Sequence, residues 1–225
     1  RSPYTETAMI AGENAKTAPD GVCRMPLILD CAAARILTAR GYDVGLAGCV
    51  PMDRPGSEAF PDGRVMPVDS DGRFYRLTPA AGAVPDSFYP DGSPAAYRFE
   101  RPDGGPVVVY AFDFDTVAFG SAMMRNYCRQ EQFFRLVPCL PVRIAKEPGA
   151  YVIARRTENR LAVGIWDFGP DTVCPEEIDL GERYSSLRPI GDAPGLSLRL
   201  SPDGDRVLSS GQIFPSGFAG FVAEK

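Results

Sequence analysis

Among its 225 residues the chain has no histidine. That absence removes the commonest general base, the usual partner of serine and cysteine nucleophiles, and most zinc and non-haem iron sites. Cysteine occurs six times, at Cys23, Cys31, Cys49, Cys128, Cys139 and Cys174, but never as C-x-x-C. Their uneven spacing beside apolar neighbours reads as buried free thiols, which favours a reducing, cytoplasmic setting over a disulfide framework. Basic clusters are missing too: 24 Lys and Arg are scattered among 29 Asp and Glu, for a net charge of -5, so nucleic acid is not an expected partner. No apolar run approaches the roughly 18 to 20 residues of a membrane-spanning helix, and the N-terminus lacks a basic-then-apolar leader, so no membrane partner is expected either. Arg1 is not an initiator methionine, so an upstream segment is expected. There is no G-x-G-x-x-G after a strand, no phosphate loop and no G-x-S-x-G, and no cofactor is expected.

What is present is enough for a real core, with 44% apolar and 10% aromatic residues. Pro26 to Val50, PLILDCAAARILTARGYDVGLAGCV, reads as strand, helix and second strand. Leu27, Ile28 and Leu29 form a short buried run, Asp30 caps Cys31 to Arg40, and Gly41 ends that helix. Ile36 and Leu37 supply its inward face, and Ala33 permits close packing. Asp30 also lies at the carboxyl end of a parallel strand, where open α/β sheets bind ligands, although the cap alone accounts for it.

From Pro51 to Gly105 the pattern turns to hairpins. Asp62-Gly63, Asp71-Gly72, Asp91-Gly92 and Asp103-Gly104 punctuate β-rich segments and supply the positive φ that tight reversals need. Ser121 to Val137 reads as a second helix, with Met123, Met124, Tyr127, Cys128, Phe133, Phe134, Leu136 and Val137 inward and Arg125, Arg129, Gln130 and Gln132 in water. Pro138 and Pro141 end it. Beyond them, six or seven short strands with intervening turns suggest a sandwich. The expected fold is therefore α+β: a partial α/β unit with a β-hairpin insertion over residues 1–139, then a small antiparallel β-sandwich over 140–225.

Few residues offer chemistry. Asp113 and Asp115, a D-x-D at the end of Val107 to Phe112, would share one face of a strand and can ligate a divalent metal, or simply be solvated acids at a strand end. Tyr75, Tyr89 and Tyr97 lie in the turn-rich middle and are the expected exposed ligand contacts. Trp166 sits inside a strand, and core packing is favoured for it over sugar stacking. Glu131 reads as a helix-surface acid and Glu176-Glu177 as an exposed pair.

The stretch LILDCAAARILTARGYDVGL, through Leu27, Leu29, Asp30, Ala33, Leu37, Arg40, Gly41 and Gly45, resembles the "LLLD-x-x-A…L-x-x-RG…G" pattern of a particular domain type. These are the flavodoxin-like, glutamine-amidotransferase-like domains that follow the barrel in β-galactosidase-type glycoside hydrolases. The order downstream is also similar: a β-rich insertion, GPVVVYAFDFD at Gly105 to Asp115, a helix rich in Arg and Phe, Leu140-Pro141, and a final sandwich containing RLAVGIWDFGPDTV at Arg160 to Val173. The resemblance spans about 180 residues but omits several βα units before Leu27 and the catalytic barrel. It therefore implies an accessory or assembly segment that packs on an upstream barrel or a neighbouring subunit, with no catalytic residue to carry over.

Three functions follow as expectations. The first is that accessory segment of a glycoside-hydrolase-like protein, which predicts a large apolar docking patch along residues 1–50. The second is a carbohydrate-binding module using exposed aromatics. The third is a small metal-dependent enzyme using Asp113 and Asp115.

Overall fold

The structure is a computed structural model that describes residues 7–102, 104–117, 123–124, 126–136, 142–144, 147, 149–167, 172–191 and 195–225. It is a β-rich α+β fold with few helices, and the chain divides into two compact units, Thr5–Val137 and Pro138–Lys225. Among the described residues, no helix is long and apolar enough to cross a membrane.

The first unit begins with β1 (Ala8–Ile10), a 3₁₀ turn at Gly12–Lys16, α1 (Asp20–Cys23), β2 (Leu27–Leu29) and α2 (Cys31–Ala39). Then come β3 (Leu46–Met52), β4 (Ser57–Ala59), β5 (Val65–Pro67), β6 (Phe74–Pro79), β7 (Val84–Phe88), β8 (Pro94–Phe99), β9 (Val107–Tyr110) and α3 (Tyr127–Leu136). Seven strands form one sheet in the order β1-β2-β9-β8-β7-β4-β5, in which only β1, β2 and β9 run parallel. Leu27–Leu29 and Val107–Val109 are buried throughout, as continuous apolar runs at the centre of a covered sheet must be.

The helix α2 forms where its local signals place it. The Asp30 side chain accepts the Ala33 N–H at 2.7 Å. At the other end Gly41, with φ of 88°, lets the Gly41 and Tyr42 amides reach the Thr38 and Leu37 carbonyls, the paired bonds of a Schellman cap. Ala33, Ala34 and Leu37 are buried against β2 and β9, and the 3₁₀ turn packs on the same helix.

The strand after α2 departs from expectation. Leu46 to Val50 does not return beside β2; as part of β3 it pairs antiparallel with β6 in a separate two-stranded sheet. The parallel neighbours of β2 are β1 and β9, so the crossover through α2 runs from β2 to β9 with β3 to β8 inserted. Where an apolar docking patch was expected along residues 1–50, Leu27, Ile28, Leu29, Leu37, Val44 and Leu46 are buried, and among the described residues there Met9 and Val50 are the exposed large apolar side chains.

The hairpin turns at Asp62-Gly63 and Asp91-Gly92 join β4 to β5 and β7 to β8, with φ of 84° and 81° at the glycines. Gly72 differs: it joins unpaired strands and has no positive φ, but a Cβ there would lie 2.4 Å from Val117 Cγ2. Asp103 lies outside the described residues.

In the second helix Leu136 faces inward as expected, but Tyr127, Arg129 and Gln132 take the opposite sides from those expected. Tyr127 is exposed, whereas Arg129, Gln132 and Leu136 are buried. Met123 and Met124 belong to a preceding turn, and Ser121, Arg125, Val137, Pro138 and Pro141 lie outside the described residues.

The second unit contains β10 (Arg143–Ile144), β11 (Ala150–Arg156), β12 (Arg160–Asp167), β13 (Glu177–Asp179), β14 (Ser186–Ile190), β15 (Ser197–Leu200), β16 (Arg206–Ser210) and β17 (Phe218–Glu224). They form two antiparallel four-stranded sheets, β10-β13-β16-β15 and β11-β12-β17-β14, whose inner faces share one core. On β12 the inward residues are Leu161, Val163 and Ile165, each fully buried and each contributing about 1.5–3 kcal/mol by leaving water. Strict alternation sends Ala162, Gly164 and Trp166 to the outer face, so Trp166 is not a core residue.

Candidate functional site

In an open α/β sheet the helix N-terminus at the carboxyl edge of the parallel strands is the natural ligand position, because its amide groups lack intrahelical partners. Here that position is the start of α2, and the chain fills it with its own acceptors. The Cys31 N–H donates to the Phe112 carbonyl at 3.2 Å, the Ala32 N–H to Asp113 Oδ1 at 3.0 Å, and the Ala33 N–H to Asp30 Oδ1 at 2.7 Å.

Asp30 does more than cap. Its carboxylate also accepts the Gly12 N–H at 2.9 and 3.0 Å and the Phe114 N–H at 3.1 Å, so it joins the 3₁₀ turn, α2 and the segment after β9. Burial pushes its carboxyl above the usual value, against the pull of these three amides.

Asp113 and Asp115 are brought to one cation, which is Arg73. Its Nε lies 3.2 Å from Asp113 Oδ2, and its Nη2 lies 3.1 and 3.0 Å from the two Asp115 oxygens. The pair sits in a turn beyond β9, with Asp113 buried and Asp115 half exposed, so the shared strand face expected of them does not exist. Asp113 Oδ2 also accepts the Tyr75 hydroxyl at 2.8 Å. Burial first, and then this bond to Asp113, raises the Tyr75 phenol to about 12. Among the described residues, no group of three or more Cys, Asp or Glu is arranged to hold a metal ion.

An open depression of about 390 Å³ adjoins this cluster, between the end of β3 and the start of β6. Its cations are already committed: Arg54 pairs with Asp71 at 2.8 Å, and Arg73 with the two aspartates.

The tyrosines expected at the surface are inside. Tyr75, Tyr89 and Tyr97 are 7%, 2% and 0% exposed. Tyr97 donates to the Val44 carbonyl at 3.1 Å, and Tyr89 packs edge-on against Phe74. Burial raises both phenols. Each ring fills the interior, so the turn-rich context marks the strand ends and not the exposure of the residues between them.

A buried ionic circuit is the group that sequence reasoning missed. Arg129 donates to Glu58 at 2.5 and 3.2 Å and also to Gln132 Oε1. Gln132 Nε2 donates to Asp86 at 3.0 Å and to the Ser87 hydroxyl at 2.8 Å, and that hydroxyl donates to Glu58 at 2.6 Å. Arg135 closes on Asp86 at 2.8 and 2.9 Å. The Arg129 guanidinium also lies over the Tyr110 and Phe112 rings, 5.4 Å from each centroid. With Glu58 and Arg129 both removed from solvent, this circuit docks α3 on β4 and β7. The expected surface acid on the same helix, Glu131, is indeed exposed and pairs with Arg64.

The thiols Cys23, Cys31, Cys49, Cys128 and Cys174 are free, and Cys139 lies outside the described residues. Burial, with Cys49 beside it, raises the Cys31 thiol.

No protein-family model matches the chain, and no curated protein matches it. Solved structures similar to it include a catalytic mutant of Gan42B, a GH42 β-galactosidase from G. stearothermophilus, at 13% identity and a TM-score of 0.39, covering 96% of this chain and 31% of that one. The cold-adapted β-galactosidase from Rahnella sp. R3 gives 11% identity and a TM-score of 0.40, covering 98% of this chain and 31% of that one. The β-galactosidase from Bacillus circulans sp. alkalophilus gives 11% and 0.35, with 98% and 32% covered. The chain thus spans about a third of the length of each.

Proposed function

We propose that this chain is a non-catalytic accessory or assembly segment of a glycoside-hydrolase-like, carbohydrate-active protein of the β-galactosidase type. The sequence resemblance from Leu27 to Gly45 and from Gly105 to Asp115 supports the parentage. The observation that carries the non-catalytic part is the closure of the α2 N-terminus by Asp30, Asp113 and the Phe112 carbonyl. An α/β sheet that binds a ligand at its carboxyl edge leaves such amides to the ligand. Here they are bonded internally, and Arg73 and Tyr75 hold the second carboxylate in place.

The test is hydrolysis of chromogenic galactosides by the 225-residue chain, with and without Mg²⁺ or Mn²⁺. No turnover is expected under either condition, while a longer protein that joins this chain to a barrel is expected to be active. Metal-dependent turnover that disappears in Asp113→Ala and Asp115→Ala would replace this reading with the metal-enzyme one.

A further inference from the structure

The outer face of β11-β12-β17-β14 carries a different kind of chemistry from anything in the first unit. Register places Tyr151 opposite Trp166, and Trp166 opposite Phe218, so three aromatic residues form one row across three strands. Ring centroids are 6.3 Å apart for Tyr151 and Trp166 and 4.7 Å apart for Trp166 and Phe218. Tyr151 is 53% and Phe218 37% exposed.

The next row along the strands is Ile153, Gly164, Gly220 and Ile190. The two glycines explain how the rings lie. A Cβ on Gly164 would stand 2.6 Å from Trp166 Cη2, and one on Gly220 would stand 2.8 Å from Phe218 Cζ. Both rings are therefore laid down over bare backbone, and any side chain at either glycine would lift them. An aromatic ring pressed to the sheet on one side presents its other side outward.

Two rows beyond the aromatics, the order is Arg155, Ala162, Val222 and Arg188. Both arginines are exposed, and neither forms an ion pair among the described residues. The acid on this face, Glu224, is already paired with Arg160 at 2.9 Å. At strand spacings of about 3.3 Å per residue and about 4.8 Å between strands, the arginines lie roughly 13 Å from the aromatic row and roughly 14 Å from each other. In a chain of net charge -5, an apolar ring platform bordered by two uncommitted guanidinium groups is a local exception.

We propose that this face binds an acidic oligosaccharide. The apolar C–H face of one pyranose stacks on Trp166 and Phe218 beside Tyr151, because the electron-rich ring face attracts C–H edges. A carboxylate further along the glycan meets the planar fork of Arg155 or Arg188, which matches its geometry. The separation of the two rows selects a chain of several sugars over a single one. This site goes beyond the accessory role proposed above and does not depend on it.

Trp166 is the sole tryptophan of the chain, so its emission reports this face alone. The experiment titrates the 225-residue chain with trigalacturonate and, separately, with neutral galactotriose, following Trp166 emission and binding heat. A saturable emission change with trigalacturonate is expected, several-fold tighter than with the neutral sugar. Phe218→Ala or Tyr151→Ala should weaken binding by about five- to tenfold. The pair Arg155→Ala and Arg188→Ala should bring the acidic sugar down to the affinity of the neutral one. Gly164→Ala should weaken binding with every aromatic group intact, an effect that loss of ring area cannot produce. Tyr127→Ala, an exposed aromatic of the other unit, should change nothing.

Equal affinity for the two sugars, indifferent to the arginines, overturns the acidic class. Absence of saturation with either sugar at about 10 mM overturns the site, since that limit corresponds to binding too weak to be specific. An emission change that follows protein concentration alone, with a doubled mass in solution, assigns the face to a second copy of the chain and also overturns it.

Discussion

The two units handle polarity in opposite ways. Among the described residues, Thr5–Val137 draws charge inward, with Asp30, Glu58, Asp86, Arg101, Asp113 and Arg129 all buried, whereas Pro138–Lys225 buries Asp167 alone. The second unit keeps an apolar core and lays aromatic rings on its outer sheet face. Buried charge is worth little to stability relative to a well-packed apolar replacement, yet it fixes one arrangement, because each group must find its partner. The first unit uses it where unlike elements meet: Asp30 between the 3₁₀ turn, α2 and the segment after β9, and Glu58 with Arg129 between the sheet and α3. Two uniform sheets, face to face, have less need of such ties.

The strongest way to break this comparison is Arg129→Met. It leaves Glu58 buried with its charge uncompensated and should cost the first unit about 3–5 kcal/mol, whereas Glu58→Leu with Arg129→Met should recover most of that loss. Urea unfolding followed by far-UV circular dichroism measures it, while Trp166 emission follows the second unit separately. A coincident shift in both signals would mean that the units do not unfold as distinct entities. A double variant no better than the single one would mean that α3 needs the ionic circuit itself.

Next in size is Asp30→Ala. Cap loss costs about 1 kcal/mol, and the unpaired Gly12 and Phe114 amides add to it, so roughly 2 kcal/mol is expected in the same unfolding experiment. Its pH dependence has a definite sign. Burial raises the folded carboxyl above the 3.8 of the unfolded chain. The folded state therefore holds the proton more tightly, and the stability Asp30 contributes is full below 3.8 and is lost as pH rises through the raised folded value. Asp30→Asn should remove that decline. Thermal midpoints of the two proteins, measured upward from acid, should diverge over this window, and parallel curves would refute the assignment.

These same residues mark what sequence could convey. The Leu27–Leu29 run, the Asp30 cap and the Gly41 stop are local signals, each decided within four residues of itself, and each is realised. The partner of β3 is a non-local choice: a strand after a helix is equally compatible with returning beside β2 or crossing to β6, and sequence periodicity does not distinguish them. The buried face of α3 was misjudged because apolar periodicity assumes an apolar receiving surface, while Glu58 and Asp86, more than forty positions away, make that surface ionic. Trp166 was legible after all. In RLAVGIWD, Leu161, Val163 and Ile165 define the inward set by alternation, which leaves Trp166 on the other face with Gly164. Arg73 had no such signal, since only the folded chain brings it to Asp113 and Asp115.

Within the second unit, Ile165→Val sharpens the contrast by shaving one methylene from a fully buried side chain between the sheets. About 0.5–1.5 kcal/mol should be lost, read as a lower urea midpoint in Trp166 emission with the first unit's circular dichroism transition unmoved. An equal shift in both would place Ile165 in a core larger than its own unit.

The smallest expected effects lie on the surface, and there the two units should become indistinguishable. Arg64 pairs with Asp62 and Glu131 in the first unit, and Arg160 pairs with Glu224 in the second. All of these side chains are well exposed, so water screens the attraction and ordering two long side chains offsets most of what remains. Arg64→Ala and Arg160→Ala should therefore leave both unfolding midpoints where they are, at low salt and at high salt alike. A clear loss from Arg64→Ala alone would extend the first unit's reliance on charge to its surface, and the contrast would then be one of composition throughout. Silence from both confines it to the interior, where each carboxylate has left water and its partner decides whether the fold can keep it.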